Sequence, residues 1–418
     1  MKLKNDMRGA KEIIETIKKR ISLSKPTKLK VAVIGAGVAG LSTSLFLRRL
    51  GCDVTIFEKD KSIKKEGAGI QITSNGLFVL EKLHVARAVI KGGLKPDNLC
   101  LFDEDGLKSI GSLEILNRLK YRYGRSFIAL HRSHLIKILL EKVKAEKIKI
   151  SFDSEALPLL TQDEHRVSIS CKGEKIKKDL IVVADGVGSK WKKIIFKEIK
   201  KRSISQSAYR FVLSKKNLPP VFLKNNVNLF FGRGRHFVTY PTGLNGAINF
   251  VFCKREKGHV ANDWKDKVSK QQFLDDFELD ETLEACIPSV KTIYKWPIIE
   301  SGIPFSVQKK NVVLVGDAAI GMLPYMAQGA NKALEDSWVL ANCIKEYPLD
   351  LEKALKKYSK KRVKRLQKLD QVSRLNEKIY HLERKIFRWI FFLFLRFIIV
   401  FLPSFFFKRL DWVYKYKG

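Results

Sequence analysis

Residues 30–58 read KVAVIGAGVAGLSTSLFLRRLGCDVTIFE, and this stretch decides the fold. Lys30 to Ile34 is a short β-branched run, the pattern of a strand buried on both faces. Gly35-Ala36-Gly37-Val38-Ala39-Gly40 follows at once. A helix from Leu41 to Leu50 and a second strand from Asp53 to Phe57, ending in Glu58, complete a βαβ unit. Glycines at this spacing in this context mark a dinucleotide site. Gly35 permits the tight turn, Gly37 lets backbone approach a pyrophosphate, and Gly40 allows close helix–strand packing, while the helix N-terminus offers N–H groups to the anion. Glu58 stands where a carboxylate accepts hydrogen bonds from a ribose 2′-hydroxyl, which selects FAD or NAD over NADP.

Working outward, Leu180 to Ala184 ends in Asp185-Gly186, and Asn311 to Val315 ends in Gly316-Asp317 before a helix from about Gly329 to Lys345. Short apolar runs that stop at Gly/Asp turns are further parallel strands. Between Ser203 and Ser301 the pattern alternates, as in Val227 to Phe231, His236 to Tyr240, Ala247 to Phe252 and Thr292 to Ile298, which predicts an inserted antiparallel sheet. No second Gly-rich βαβ unit follows, so one dinucleotide is held tightly, and the Gly316-Asp317 turn decides which. An Asp at the carboxyl edge of a buried strand can accept from ribityl hydroxyls, and backbone N–H groups of Gln328, Gly329, Ala330 and Asn331 at a helix start suit a flavin's pyrimidine edge. The cofactor expected is therefore FAD. The acidic pair Glu335-Asp336 is read as part of that same device.

These motifs resemble, in order, those of the single-component flavoprotein aromatic hydroxylases of the para-hydroxybenzoate hydroxylase fold. The carriers are Gly35, Gly37, Gly40 and Glu58, then Asp185, Gly186 and Ser189, then Gly316, Asp317, Pro324 and Gly329. GAGIQITSNG at 67–76, LHRSHL at 130–135, LPYMAQGANKALED at 323–336, RVKRLQKLDQVSRLNEKIYHL at 362–382 and LDWVY at 410–414 resemble the salicylate hydroxylase branch. The resemblance spans about residues 30–415. It implies an α/β fold, with a Rossmann-like FAD-binding domain (29–202 and 302–350), an inserted antiparallel-sheet substrate domain (203–301) and a C-terminal helical region (351–418). It implies further that Arg132 contacts the adenosine diphosphate part of FAD and that Asp185 serves both FAD and the nicotinamide nucleotide. NADH or NADPH would reduce the flavin, and O2 adding at C(4a) would give a hydroperoxide that hydroxylates a small salicylate- or hydroxybenzoate-like aromatic. The family's usual Gly-Asp-Ala-Ala-His run ends here in Ile320, which removes a polar group near the flavin. A phenol also needs a base, and His236 is the candidate, although this branch often has a second His where Thr239 stands. Arg233 and Arg235 are near enough in sequence to meet a carboxylate, or else to be solvated surface.

The chain has 418 residues, 80 Lys+Arg against 43 Asp+Glu, a net charge of +37 and 45% hydrophobic residues. That composition excludes disorder and disulfide-stapled scaffolds. Of the 80 basic residues 58 are Lys, a compositional habit rather than a nucleic-acid signature, since no aromatic-interleaved basic repeat accompanies it. Six cysteines without a C-x-x-C pair suit reduced thiols in the cytoplasm and no metal site. Residues 1–28 hold an amphipathic helical pattern rather than a secretory signal. Lys353 to Arg388 carries 14 basic and 3 acidic residues, and Trp389 to Phe407 holds fifteen Leu, Ile, Val or Phe with one charge, Arg396, and one proline, Pro403. Residues 353–407 therefore admit three readings: a patch lying on the anionic inner face of the cytoplasmic membrane, a true span, or a helix packed on the protein or on a dimer mate. A lipophilic quinone precursor or isoprenoid, hydroxylated or epoxidised at a membrane, is the alternative to a small aromatic. A basic lipid- or nucleic-acid-binding module that keeps FAD structurally is a third.

Overall fold

The computed structural model describes residues 28–63, 69–160, 166–197, 206–243, 246–256, 266–298, 302 and 304–418. The amphipathic pattern over residues 1–28 lies outside them except for Lys28.

A six-stranded sheet forms the first layer, in the order Gln308–Lys309, Val312–Leu314, Leu180–Val183, Lys30–Ile34, Asp53–Phe57, Lys149–Ser151. All neighbours are parallel except the first pair. Val31–Ile34 and Leu180–Val183 are buried throughout, as their unbroken β-branched sequences require. The helices used below are α1 (Val38–Arg49), α2 (Ser74–Lys82), α3 (Arg132–Ala145), α4 (Gly329–Glu346), α5 (Leu351–Tyr380), α6 (Lys385–Phe401), α7 (Pro403–Lys408) and α8 (Asp411–Tyr414). Helix α1 packs against α3 and α4. Its contact with α4 is close enough for Ser42 and Thr43 to hydrogen-bond Ser337 at 2.7 and 2.8 Å. The parallel topology makes the carboxyl ends of these strands the place for a ligand.

The second sheet has eight strands, ordered Asp266–Val268, Ile293–Pro297, Gln206–Ser214, Ala247–Arg255, Arg235–Pro241, Val227–Phe231, Asn98–Asp103, Lys108–Glu114. The last two come from well before residue 203, and Asn98–Asp103 joins Val227–Phe231 in parallel. The central strands alternate, which gives the sheet two different faces. Tyr209, Phe211, Phe230, Phe237, Phe250 and Phe252 pack on one side into an aromatic core. Ala208, Arg210, Leu229, His236, Val238, Val251 and Cys253 point to the other, toward the first layer's cleft.

The C-terminal helices close this assembly. Helix α5 runs 30 residues, and Pro403 ends α6 as proline must. Helix α6 lies along the edge strand Lys108–Glu114. Arg396 donates to the carbonyls of Ser109 and Ile110 at 3.0 and 3.2 Å, so it occupies edge acceptors that would otherwise face solvent. Among the described residues no helix is long and apolar enough to cross a membrane, which removes the spanning alternative for 389–407. Asp411 of α8 accepts two bonds from Arg122, both 2.7 Å, and one from Tyr123 at 2.9 Å.

Candidate active site

A cleft of about 1630 Å³ opens at the carboxyl ends of the parallel strands and continues under the second sheet. A drug-sized ligand fills about 300–1,000 Å³, so this cleft has room for two ligands. It brings together Gly35, Gly37, Glu58, Arg132, Asp185, Asp317, Gln328, Gly329, Ala330 and His236. Gly40, Gly316 and Asn331 do not line it.

At the dinucleotide end, a Cβ on Gly40 would overlap the Gly35 carbonyl, so α1 can start this close to the strand only with glycine there. At Gly37 a Cβ would meet nothing within 4 Å, which leaves backbone N–H groups facing open space. The N-terminus of α1 has no side-chain cap. The Glu58 carboxylate is fixed at the strand end, accepting from Ala36 N at 2.7 Å and Asp60 N at 3.0 Å. Arg132 opens α3 inside the cleft. Cavity solvent reaches its side chain, yet the surrounding protein lowers its pKa, with Asp317 opposing.

Asp185 accepts from Lys190 N at 3.1 Å, but its Oδ1 is buried without a partner. That desolvation raises its pKa, with hydrogen bonds from Ser189 and nearby backbone opposing. The Asp317–Ile320 turn is held from behind by two buried lysines that sequence reasoning missed. Lys332 Nζ donates to Asp317 Oδ1 at 2.9 Å and to the Ile320 carbonyl, while Lys192 Nζ donates to the Ala319 carbonyl at 3.0 Å. Burial, with Lys332 nearby, pushes Lys192 down to about 8. In a chain with 58 lysines, two more carry no signal. Ile320 itself is wholly buried.

Helix α4 starts on the cleft with no side-chain cap, so its first N–H groups have no intrahelical acceptor. The side chains near that start have other work. Gln328 accepts from Asn75 at 2.9 Å and donates to Thr73 at 3.1 Å. The Asn331 side-chain amide accepts from Thr73 N and donates to the Gln71 carbonyl, both at 3.0 Å, which turns that side chain away from the cleft and leaves the expected contact to its backbone N–H. Glu335 and Asp336 are likewise not flavin-facing. Both are buried in ion pairs, Glu335 with Arg362 at 3.0 Å and Arg365 at 2.7 Å, Asp336 with Arg362 at 2.5 Å. Burial would raise the Glu335 pKa, but the two arginines pull it lower. Asp336 also accepts from Gly316 N at 2.7 Å, which ties α4 to the Gly316-Asp317 turn.

The far end of the cleft is a chamber roofed by the second sheet. His236 is almost wholly buried, with Nδ1 2.8 Å from Nε2 of His381, the residue that caps α5. Burial and the neighbouring imidazole hold His236 well below the ordinary histidine range, and burial together with Arg255 pushes His381 down to about 3. Two neutral imidazoles so joined carry one proton between them. Thr239 points away, to Asn228 at 3.2 Å on the opposite face. Arg235 is spent on Glu104 at 2.9 Å, and Arg233 does not line the cleft, so neither meets a ligand there. The cation that lines the chamber is Arg210, with its guanidinium 6.0 Å from the Trp296 ring and its Nε buried without a partner among the described residues. Its signal was an arginine at an inward position of an otherwise apolar strand. Phe407, Leu410 and Tyr414 of the tail, with Leu99 and Ile115, supply apolar wall.

The open space at Gly37, the orphaned Asp185 oxygen and the uncapped helix starts fit an anionic dinucleotide with an extended ring system. Residues 28–373 match the family model described as an FAD binding domain. The chain is 27% identical over 355 residues to 3-hydroxybenzoate 6-hydroxylase 1 of Aquipseudomonas alcaligenes, covering 84% of this chain and 89% of that one. It is 25% identical over 366 residues to 3-amino-4-hydroxybenzoate 2-monooxygenase of Streptomyces cremeus, covering 85% and 88%. A solved salicylate hydroxylase substrate complex superposes with a TM-score of 0.74 at 21% identity, covering 94% of this chain and 96% of that one. Klebsiella pneumoniae HpxO complexed with FAD and uric acid does so at 0.76, also at 21% identity, covering 90% and 96%. The two superpositions establish the fold.

Proposed function

The chain belongs to the FAD binding domain family and is an FAD-dependent monooxygenase, and from that premise we propose that it hydroxylates an aromatic acid or phenol with NADH or NADPH as electron donor. The single observation that carries the substrate reading is the chamber, where a neutral His236–His381 pair and an unpaired Arg210 share one otherwise apolar sheet face.

Bound FAD supplies two-electron exchange with a reduced nicotinamide and the activation of O2. The chain's own residues do the remainder. Glu58 takes the adenosine ribose, the α1 start takes the pyrophosphate, and Arg132 and Asp317 take the flanking polar groups. Asp185, with its free oxygen, is the donor-seeking group left for FAD and the nicotinamide nucleotide. The uncapped α4 start would offer positive potential to a bound flavin, which takes on negative charge when reduced.

His236 and His381 move the substrate's proton. With the Nδ1 proton of His236 donated to His381, the other ring nitrogen of His236 is a bare acceptor, which takes the phenol proton and raises electron density on the ring. Burial keeps His236 neutral, so its bare nitrogen is available to accept, and the Nδ1 proton can pass on to His381 as it does. Arg210 meets a carboxylate or phenolate oxygen, a role left open because it has no acidic partner among the described residues. The apolar wall excludes water.

The test is O2-dependent NADH or NADPH oxidation stimulated by aromatic acids, with the hydroxylated product identified. His236→Ala should keep full flavin content and slow hydroxylation by about 10²–10⁴-fold. Arg210→Leu should raise KM for carboxylated substrates with kcat largely kept. A colourless protein indifferent to FAD would sink the proposal, and unchanged turnover in His236→Ala would remove it as the base.

A further inference from the structure

The cofactor cleft leaves one large feature of the molecule unused. Along α6 and α7 the side chains of Ile386, Trp389, Ile390, Leu393, Phe394, Phe397, Val400, Phe401 and Phe405 are all exposed, from 45% at Leu393 to 68% at Phe401. Their spacing by threes and fours lays them on one continuous face of a helix about 25 Å long. Single exposed apolar residues need no explanation, but a contiguous stripe of this length marks a contact surface.

Three observations identify what covers it. The first is where the charges of α6 go. Its two internal arginines face the protein: Arg388 pairs with Asp103 and Asp105 and donates to the Phe231 carbonyl, and Arg396 is bound to strand carbonyls. The exposed Arg396 is thus tied back to the sheet edge, and the stripe of exposed apolar side chains between Ile386 and Phe405 carries no charged residue of its own. The second is the rim. Exposed Arg384 and Lys385 stand at one end and Lys408 and Arg409 at the other, with Glu383 the one acid between Glu377 and Asp411. A rim of four cations with a single acid, on a chain of net charge +37, would oppose itself in a two-fold pair of copies, whereas an anionic headgroup layer complements both ends. The third is orientation. Ile398 and Ile399 are buried on the sheet side and α6 lies along the edge strand, so it can only lie flat, and the exposed Trp389 is of the type enriched at membrane–water interfaces.

We propose that α6 and α7 form an in-plane docking surface for an anionic lipid bilayer. The surface adjoins the chamber directly: Phe405 faces outward, while Phe406 and Phe407, the next residues of the same turn, line the cleft. A lipid-dissolved aromatic would then reach the chamber across a single helical turn.

Flotation of the flavin-loaded full chain tests this, with vesicles of phosphatidylcholine alone and with one third phosphatidylglycerol. Binding to the anionic vesicles should exceed binding to the neutral ones at least ten-fold and fall with added salt. The Phe394→Ser/Phe397→Ser double variant should lose that binding at least ten-fold while keeping flavin content and turnover of a water-soluble substrate. Flotation unchanged by the double variant would overturn the proposal. So would a dimer in sedimentation that the double variant dissociates without any vesicle binding, which would assign the face to a second copy. Because flotation is read without turnover, its failure is separate from failure of the hydroxylase reading.

Discussion

Helices α5 and α6 follow one another in the chain and invert each other's expected behaviour. Helix α5 is strongly basic in sequence, yet it buries Arg362 and Arg365 completely or nearly so, against Glu335 and Asp336. Helix α6 is almost wholly apolar and turns about half of itself outward. What a helix buries is set by its partner and not by its average polarity. Helix α5 meets α4, which presents two buried carboxylates, so arginine is the complementary choice. Helix α6 meets a sheet edge with open carbonyls, so its arginines go inward and its phenylalanines are left over.

The contrast can be broken most forcefully at Arg362. Arg362→Ala leaves Glu335 and Asp336 without their shared cation inside the protein, and should cost about 3–5 kcal/mol, read as a fall in the urea midpoint together with weaker flavin retention. On the inward side of α6, Ile399→Ala should cost about 2–3 kcal/mol, since the side chain packs against Gly111 and the site cannot collapse fully. At the joint between the helices, His381 and its partner His236 are kept neutral in the fold. Below the unfolded histidine value of about 6.5 the unfolded chain binds protons that the folded one does not, so stability falls as pH falls, down toward the His381 value of about 3. Thermal scans from pH 7 to 5 should lose roughly 1–2 kcal/mol for each histidine of the pair, and His381→Gln should flatten that slope; an unchanged slope would mean the pair is not the titrating element. The smallest effect belongs to the outward face: Phe394→Ser should change stability by under about 0.5 kcal/mol. A loss comparable to Ile399→Ala would show that the face is packed against something and erase the contrast.

The sequence made the parallel layer legible because its evidence is local. Each of Lys30–Ile34, Leu180–Val183 and Val312–Leu314 is a buried run ended by a Gly/Asp turn. Glu58 and Asp317 follow from position alone, at strand ends. The edge pair Asn98–Asp103 and Lys108–Glu114 was not legible: its alternation is blurred by Gly111 and a register shift at Leu101/Phe102, and its partner strand lies more than a hundred residues on. The Glu335-Asp336 pair was read with the flavin because its motif runs through the cleft, whereas α4 turns these two carboxylates into the core against Arg362 and Arg365. His381, Lys192 and Lys332 depend on contacts between distant segments, which no single-sequence pattern records.

The way the parallel sheet is stitched sets a timetable for the chain. Lys30–Ile34 pairs with Leu180–Val183, which in turn pairs with Val312–Leu314. At about 5–20 residues per second of synthesis, the first strand waits roughly 15–60 seconds for the last. Until then the walls of the cofactor cleft do not exist together, and α1 has no α4 to rest on. The nascent chain can pair Lys30–Ile34 with Asp53–Phe57 early, but Leu180–Val183 keeps one edge open until Val312–Leu314 emerges, and flavin can act only late, as the ligand that locks a sheet already assembled.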